Sequence, residues 1–241
     1  MSRRRTLARR SAPLVMGMAV GVAVWFGAPA LLARLAVFRV RQIELVGVKN
    51  LAPDVVIAAL RLPSDASVFT DTRLLDDRLR GLAGVAEARV VRQLPAALRI
   101  ELREVEPAAL APNGRRLVVV DAQGRALPFD PARTGLDLPV AAAPDRGVVG
   151  VLALVQAVDP ALFLTITSAR GLARGDVLLE LGPRHVLLGR DAGPEVIRAV
   201  ELVARDLAAK GRPYVELDAR FARQVIVRRT ASRGSRGTGG A

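Results

Sequence analysis

Cysteine is absent from all 241 residues, which excludes disulfides, thiolate metal ligands and cysteine nucleophiles together. Aromatic residues make up only 3%, so the core has to be built from valine, leucine and alanine. Histidine occurs once, at His185. It sits in a strand-like stretch with no further ligand-type residues at metal-binding spacing, and it reads as a strand residue. No G-x-S-x-G elbow, phosphate-binding loop or dinucleotide fingerprint occurs. Glu104 and Glu106 are close enough to mimic an acid/base pair, but they fall at a strand end beside Pro107, with no polar pocket implied nearby. Asp76-Asp77 lies mid-helix between Leu75 and Leu79, so at least one of the two is solvated. These patterns predict no catalytic residue, no cofactor and no metal: the chain is not read as an enzyme.

Lysine is also scarce, with only Lys49 and Lys210 among 36 basic residues, against 23 acidic ones. The net charge of +13 is concentrated at the ends. Five arginines (Arg3, Arg4, Arg5, Arg9, Arg10) precede the first apolar run, and four (Arg228, Arg229, Arg233, Arg236) lie at the tail. With those nine set aside, 27 basic residues face 23 acids, so the body is only mildly basic. A duplex-binding domain concentrates its excess on a folded face; no nucleic-acid partner is expected here. The last residues, 230–241, are rich in Gly, Ser and Arg and read as a flexible, solvated tail.

Between Arg10 and Arg34 lie 23 uncharged residues, SAPLVMGMAVGVAVWFGAPALLA. As a helix they reach about 34 Å, enough for a hydrocarbon core of about 30 Å. The triplet Ala28-Pro29-Ala30 imitates a signal-peptidase site, but the run is too long for a signal peptide and Pro29 sits inside the would-be cleavage site. We therefore expect an uncleaved membrane span over 11–33 after a cytoplasmic basic tail over 1–10. The arginine-rich flank places the N-terminus in the cytoplasm and the bulk of the chain outside it. Trp25 and Phe26 fall near the outer end, at aromatic-belt depth. Gly17-x-x-x-Gly21 has the spacing of a helix-packing face, although small residues are common in such spans.

Residues 38–107 read as β-α-α-β-β. FRVRQIELVG gives a strand ending at Gly47. APDVVIAALRL gives a helix beginning at Pro53, with Val55, Val56, Ala59 and Leu60 on one face. A second helix starts from Asp71 as N-cap and carries Leu75, Leu79 and Leu82. Gly81 and Gly84 close it as left-handed caps. VAEARVVRQ and ALRIELRE then form a strand pair around Leu94-Pro95, with Leu98, Ile100 and Leu102 inward. Pro107 stops the second of them. The order, and the terminal pattern Pro95-x-x-Leu98-x-Ile100-x-Leu102-x-Glu104-x-x-Pro107, resembles the POTRA module, a docking platform without catalytic chemistry.

Residues 108–229 read as a β-rich domain with one long amphipathic helix. Leu117 to Val120 is a strand, with a turn at Asp121-Ala122-Gln123-Gly124 and a short return strand. LDLPV follows a loop, Val148 to Val158 is a short helix ending at Asp159-Pro160, and LFLTITSA is a strand. Val177 to Leu181 and His185 to Leu188 form a hairpin about Gly182-Pro183. The clearest helix starts at Pro194, carries the stripe Val196, Val200, Val203 and Leu207, and is capped by Gly211. From Tyr214 to Phe221 the chain alternates, Val215, Leu217, Ala219 and Phe221 against Glu216, Asp218 and Arg220, which is the period of a half-buried strand. The pattern breaks at 222–224 and resumes with Val225 and Val227.

Three landmarks, LVVVDAQGRALP, the RHVLLG strand ahead of a helix, and the terminal LDARFARQVIVRR, are similar in order and spacing to the extracytoplasmic β-domain of the FtsQ/DivIB family of bacterial cell-division proteins. With the basic N-terminus, the span and the POTRA-like module, the likeness runs along nearly the whole chain. Two positions depart from the family pattern: Ala219, where a larger aliphatic residue is usual, and Leu110, where many members have tryptophan. The resemblance implies an α+β fold and a single-pass protein of the inner membrane at the division septum. It implies a non-enzymatic scaffold of the divisome, with the POTRA-like module binding other divisome components. It further implies that the β-domain engages FtsB, paired with FtsL, near the last strand, with Arg220, Phe221, Val225 and Val227 at the contact. Phe221 stands open between two readings: continuation of the core face, or an exposed aromatic beside a free strand edge suited to β-augmentation. Arg220, Arg223 and Arg228 would otherwise act as charged gatekeepers on that edge. Two other classes compete. A POTRA-type accessory of outer-membrane protein assembly or secretion would need a long run of barrel strands, and an anchored wall enzyme would need a site the sequence does not offer.

Overall fold

A computed structural model describes residues 35–221 and 224–229. The basic tail over 1–10, the span over 11–33, the tail over 230–241 and Arg223 lie outside the described residues. Among those described, no helix is long and apolar enough to cross a membrane. The chain divides into two units between Glu104 and Val105.

The first unit has three strands, β1 (Gln42–Val46), β2 (Val85–Gln93) and β3 (Ala97–Glu104), and two helices, α1 (Pro53–Leu60) and α2 (Thr72–Arg80). The sheet order is β1-β3-β2, with β1 parallel and β2 antiparallel to the central strand. The alternation in ALRIELRE places Leu98, Ile100 and Leu102 in the core, where Val56, Leu60, Leu75 and Leu79 of the helices are fully buried with them. Val55, assigned by spacing to the buried face of α1, is exposed. Asp71 caps α2 by accepting the Arg73 amide at 2.9 Å. Gly84 takes the expected left-handed conformation at φ 89°, but Gly81 stays right-handed at φ −75°, because the chain makes one further tight turn before leaving the helix. Gly47 has φ 85°, and a Cβ there would lie 2.0 Å from the Leu102 carbonyl oxygen; only glycine lets β1 end beside β3.

The outer face of this sheet carries a charge ladder. Arg99 pairs with Glu44 at 3.0 Å, Gln93 donates to the same carboxylate, and Arg103 pairs with Glu87. The hydrogen bonds from the two arginines hold both carboxyls below their ordinary range. Exposed pairs of this kind add little stability but keep the face polar.

Of the two mid-helix aspartates, Asp77 is solvated and pairs with Arg80. Asp76 turns inward, and its Oδ1 accepts the Val90 amide of edge strand β2 at 2.6 Å, so a side chain closes a donor that an edge strand would otherwise offer to another chain. Asp76→Ala should therefore cost about 1–2 kcal/mol and accelerate exchange of the Val90 amide hydrogen, read by native-state hydrogen exchange; unchanged exchange there would refute the capping role.

Glu104, at the end of β3, has a larger task. Its carboxylate accepts the backbone amides of Lys49, Asn50 and Leu51 at 2.8–3.0 Å, and the Asn50 side-chain amide at 2.9 Å. One side chain thus satisfies the donors of the loop that carries β1 into α1.

The second unit is an eight-stranded sheet, ordered β11-β10-β9-β8-β7-β6-β4-β5. Its strands are β4 (Ala109–Asn113), β5 (Arg116–Val120), β6 (Val140–Ala141), β7 (Ser168–Gly171), β8 (Val177–Leu181), β9 (Arg184–Leu188), β10 (Glu216–Phe221) and β11 (Gln224–Arg228). A one-turn helix α3 (Pro131–Thr134) precedes β6; α4 (Arg146–Val158), α5 (Pro160–Phe163) and α6 (Pro194–Ala209) complete the unit. Val149, Leu152 and Val155 of α4 and Ile197, Val200 and Leu207 of α6 bury against Leu179, Leu188 and Leu217. The stretch LFLTITSA is not one strand. Asp159 accepts the Leu162 amide at 3.0 Å and, with Pro160 behind it, starts α5; only Ser168–Gly171 is extended. The short return strand after the Asp121 turn reduces to a single bridge, Val120 to Ala126. Asp121, almost fully buried, organises that turn by accepting the Gln123 and Arg125 amides and the Arg125 guanidinium.

The two ends of this sheet differ. On the β5 side, the Leu127 amide donates to the Val119 carbonyl and the Asp121 amide to that of Arg125, so the following segment covers part of the edge. On the β11 side, no described residue pairs with the outer edge.

Candidate functional site

The strand read from Tyr214 to Phe221 is not itself the edge of the sheet. β10 pairs in parallel with β9 through the crossover helix α6, and antiparallel with β11, which takes the outside position. Leu217 and Ala219 face the core at 0% and 4% exposure. Phe221, at the end of the same alternation, is 51% exposed. Of the two readings left open for Phe221, the structure gives the exposed one: the register shifts between Asp218 and Phe221, and β10 outruns the hydrophobic layer beneath it.

Phe221 borders a groove of about 590 Å³ between α6 and the β10–β11 hairpin. Val196, Ala199, Leu202 and Val203 form its helix wall and Phe221 and Val225 its strand wall, while Asp191 and Glu195 also line it. Leu202 is 71% exposed. An apolar side chain so open beside an exposed aromatic marks a surface suited to contact.

Arg220 lines the same groove, but its guanidinium is already engaged. Nε and Nη2 donate to the two oxygens of Asp218 at 2.8 and 2.7 Å, and Nη1 reaches Asp176 at 3.2 Å. The Arg220 amide also donates to Asp218 at 3.2 Å, and the guanidinium lies 5.9 Å from the Phe221 ring centroid. Asp218 is 1% exposed, so a bidentate arginine is what allows a carboxylate there. These side-chain hydrogen bonds, first the ones to Asp218 and then the one to Asp176, raise the Arg220 pKa further. The Arg220 hydrogen bond likewise holds the Asp218 carboxyl below its ordinary 3.8.

A carboxyl depressed in the folded state contributes stability that is complete above its unfolded pKa and is lost as pH falls through the folded value. Acid unfolding of the second unit should therefore steepen below pH 3.8, and Asp218→Asn should flatten that part of the curve. Parallel curves for the two proteins would remove Asp218 from the account.

The structure brings three of the four expected contact residues, Arg220, Phe221 and Val225, to one groove. Val227 lies further along β11, opposite Leu217, and packs partly into the core. The α6 wall escaped the sequence reading, although a signal existed: Leu202 is an apolar residue off the Val196-Val200-Val203-Leu207 stripe. His185 sits on β9 opposite Glu180 and Glu216. Among the described residues no group of histidines and carboxylates is placed to hold a metal ion.

Residues 38–104 match the POTRA domain, FtsQ-type. The chain is 37% identical over 147 residues to Cell division protein FtsQ of Anaeromyxobacter sp. (strain K), covering 57% of this chain and 48% of that protein. With the protein of the same name from Dinoroseobacter shibae it shares 31% identity over 157 residues, 63% of this chain and 53% of the relative. With that of Mycobacterium tuberculosis (strain ATCC 25618 / H37Rv) it shares 35% over 94 residues, 39% of this chain and 27% of the relative. The chain thus spans between about a quarter and about half of these relatives' lengths. Residues 38–104 thus carry a POTRA domain of the FtsQ type, and over the longer matched stretches the chain is similar to proteins named Cell division protein FtsQ.

Proposed function

We propose that the protein is a non-enzymatic, single-pass scaffold of the division machinery. In this reading 11–33 crosses the inner membrane with the N-terminus in the cytoplasm, and both folded units lie outside, at the septum. The first unit binds other divisome components. The second binds an FtsB–FtsL type pair of small coiled-coil membrane proteins and so helps to control septal wall synthesis. The observation that carries the reading is the exposed Phe221 at the mouth of an apolar groove, next to a sheet edge that no described residue covers. An added strand would supply the missing backbone hydrogen bonds of β11, and an apolar anchor in the groove would set its register.

A photo-crosslinking amino acid at Phe221 in living cells tests this. Capture of a small coiled-coil membrane protein is the expected result. A protein that is folded and membrane-bound yet captures nothing at this position would sink the assignment of the site.

A further inference from the structure

We propose that the end of the first unit where β1 begins is a lipid-contacting surface, which takes the phosphate headgroups of anionic phospholipids on the outer face of the membrane. Three segments meet there. The Arg41 amide donates to the Ala96 carbonyl at 2.8 Å, the Val40 amide to Ala66 at 2.8 Å and the Val68 amide to Phe38 at 2.9 Å. Phe38 and Phe69 close the joint edge to face, 5.1 Å between centroids. Two of the three segments bring something that a soluble surface has no need of. Leu35 and Val37 are 48% and 51% exposed, and Leu94, on the turn between β2 and β3, is 65% exposed.

Arginines surround these tips. Arg39 has no side-chain partner among the described residues, and Arg41 donates only to the Ala36 carbonyl. Arg92 donates to the Val68 and Thr70 carbonyls, which leaves its charge without a carboxylate. No acid forms an ion pair with any of the three among the described residues, whereas the ladder on the sheet face of the same unit pairs its arginines. Apolar tips ringed by uncompensated arginines match the boundary between acyl chains and phosphates.

The occupant follows from where this surface lies in the chain. Leu35 comes two residues after the uncharged run of 11–33, so the surface rests on the reading that this run crosses the membrane. Leu94 does not depend on the tether: it is brought to the same end by the parallel pairing of β1 with β3, Gln42 opposite Ala97.

Because the chain has no cysteine, a single Leu94→Cys or Val37→Cys substitution gives a unique labelling site. The full chain, carrying an environment-sensitive fluorophore at one position, is reconstituted in phosphatidylcholine vesicles with and without phosphatidylglycerol. Alkali extraction first establishes integration; a chain that extracts overturns the span, and the lipid surface with it. In integrated protein, the label at position 94 should be quenched by shallow nitroxide lipids. Phosphatidylglycerol should raise its immersed fraction, with roughly fivefold lost for each of Arg39→Gln and Arg41→Gln, and salt should reverse the gain. A label at 37 that is quenched while the label at 94 stays in water in every vesicle overturns the proposal, because tether proximity alone explains that pattern. Shielding of position 94 only when other envelope proteins are added also overturns it, in favour of a protein partner.

Discussion

Phe221→Ala should weaken capture of the proposed FtsB–FtsL type partner by about thirtyfold while leaving the unfolding of the second unit within about 0.5 kcal/mol of the parent. Asp218→Ala, three residues back on the same strand, should do the reverse in order of cause. Removing a carboxylate that is 1% exposed and takes three hydrogen bonds from Arg220 should destabilise the unit by about 2 kcal/mol, and partner binding should fall only as the end of β10 loosens. Arg220→Ala should be the more damaging of the two, since it leaves Asp218 charged and buried with one backbone amide for company, whereas a freed Arg220 keeps Asp176 and part of its solvent. Denaturant unfolding beside a titration of the partner onto full-length protein separates the effects. If Phe221→Ala unfolds the protein as readily as Asp218→Ala does, Phe221 is a packing residue after all and the groove is not the contact.

The second large effect belongs to the first unit. Glu104→Ala strips four donors of their acceptor at one stroke, the amides of Lys49, Asn50 and Leu51 and the Asn50 side chain. Each charge-assisted bond counts for more than a neutral one, and the donors cannot all find water in a part-buried loop. A loss of roughly 3 kcal/mol follows, seen as an early unfolding transition of the first unit alone. Glu104→Gln keeps one acceptor oxygen and should recover about half. A Gln variant no better than the Ala variant would mean that the loop is held by packing instead.

Glu104 also shows where sequence reading stops. Its place in the terminal pattern was visible, and so was the absence of a pocket around it. What could not be seen is that its partners lie more than 50 residues upstream, because no local rule links a strand end to the loop before a helix. Local periodicity served well where burial is one-sided: Leu98-Ile100-Leu102, the Leu75-Leu79 pair, and the Pro194 start of α6. It failed where capping competes with hydropathy. LFLTITSA looks extended by composition, yet Asp159-Pro160 starts a helix in front of it, and the start signal was present in the residues themselves. It failed again at Asp218, which alternation assigns to the outer face but which the structure buries, since an arginine two residues on supplies the compensation. For the site, the exposure of Phe221 and the place of β11 outside β10 both depend on the crossover through α6, a connection that pattern alone does not orient.

That crossover also sets an order in time. Because β10 lies beside β9 and runs parallel to it, it cannot dock until α6 has been made and has swung across the sheet; β11 then has only β10 to pair with. Chains are synthesised from the N-terminus and their domains form in that direction. A ribosome that has delivered the first nine strands has thus produced neither the groove nor its aromatic. Both walls come from the final stretch of the described fold, residues 189–225, so a chain stopped before it lacks the proposed contact surface altogether.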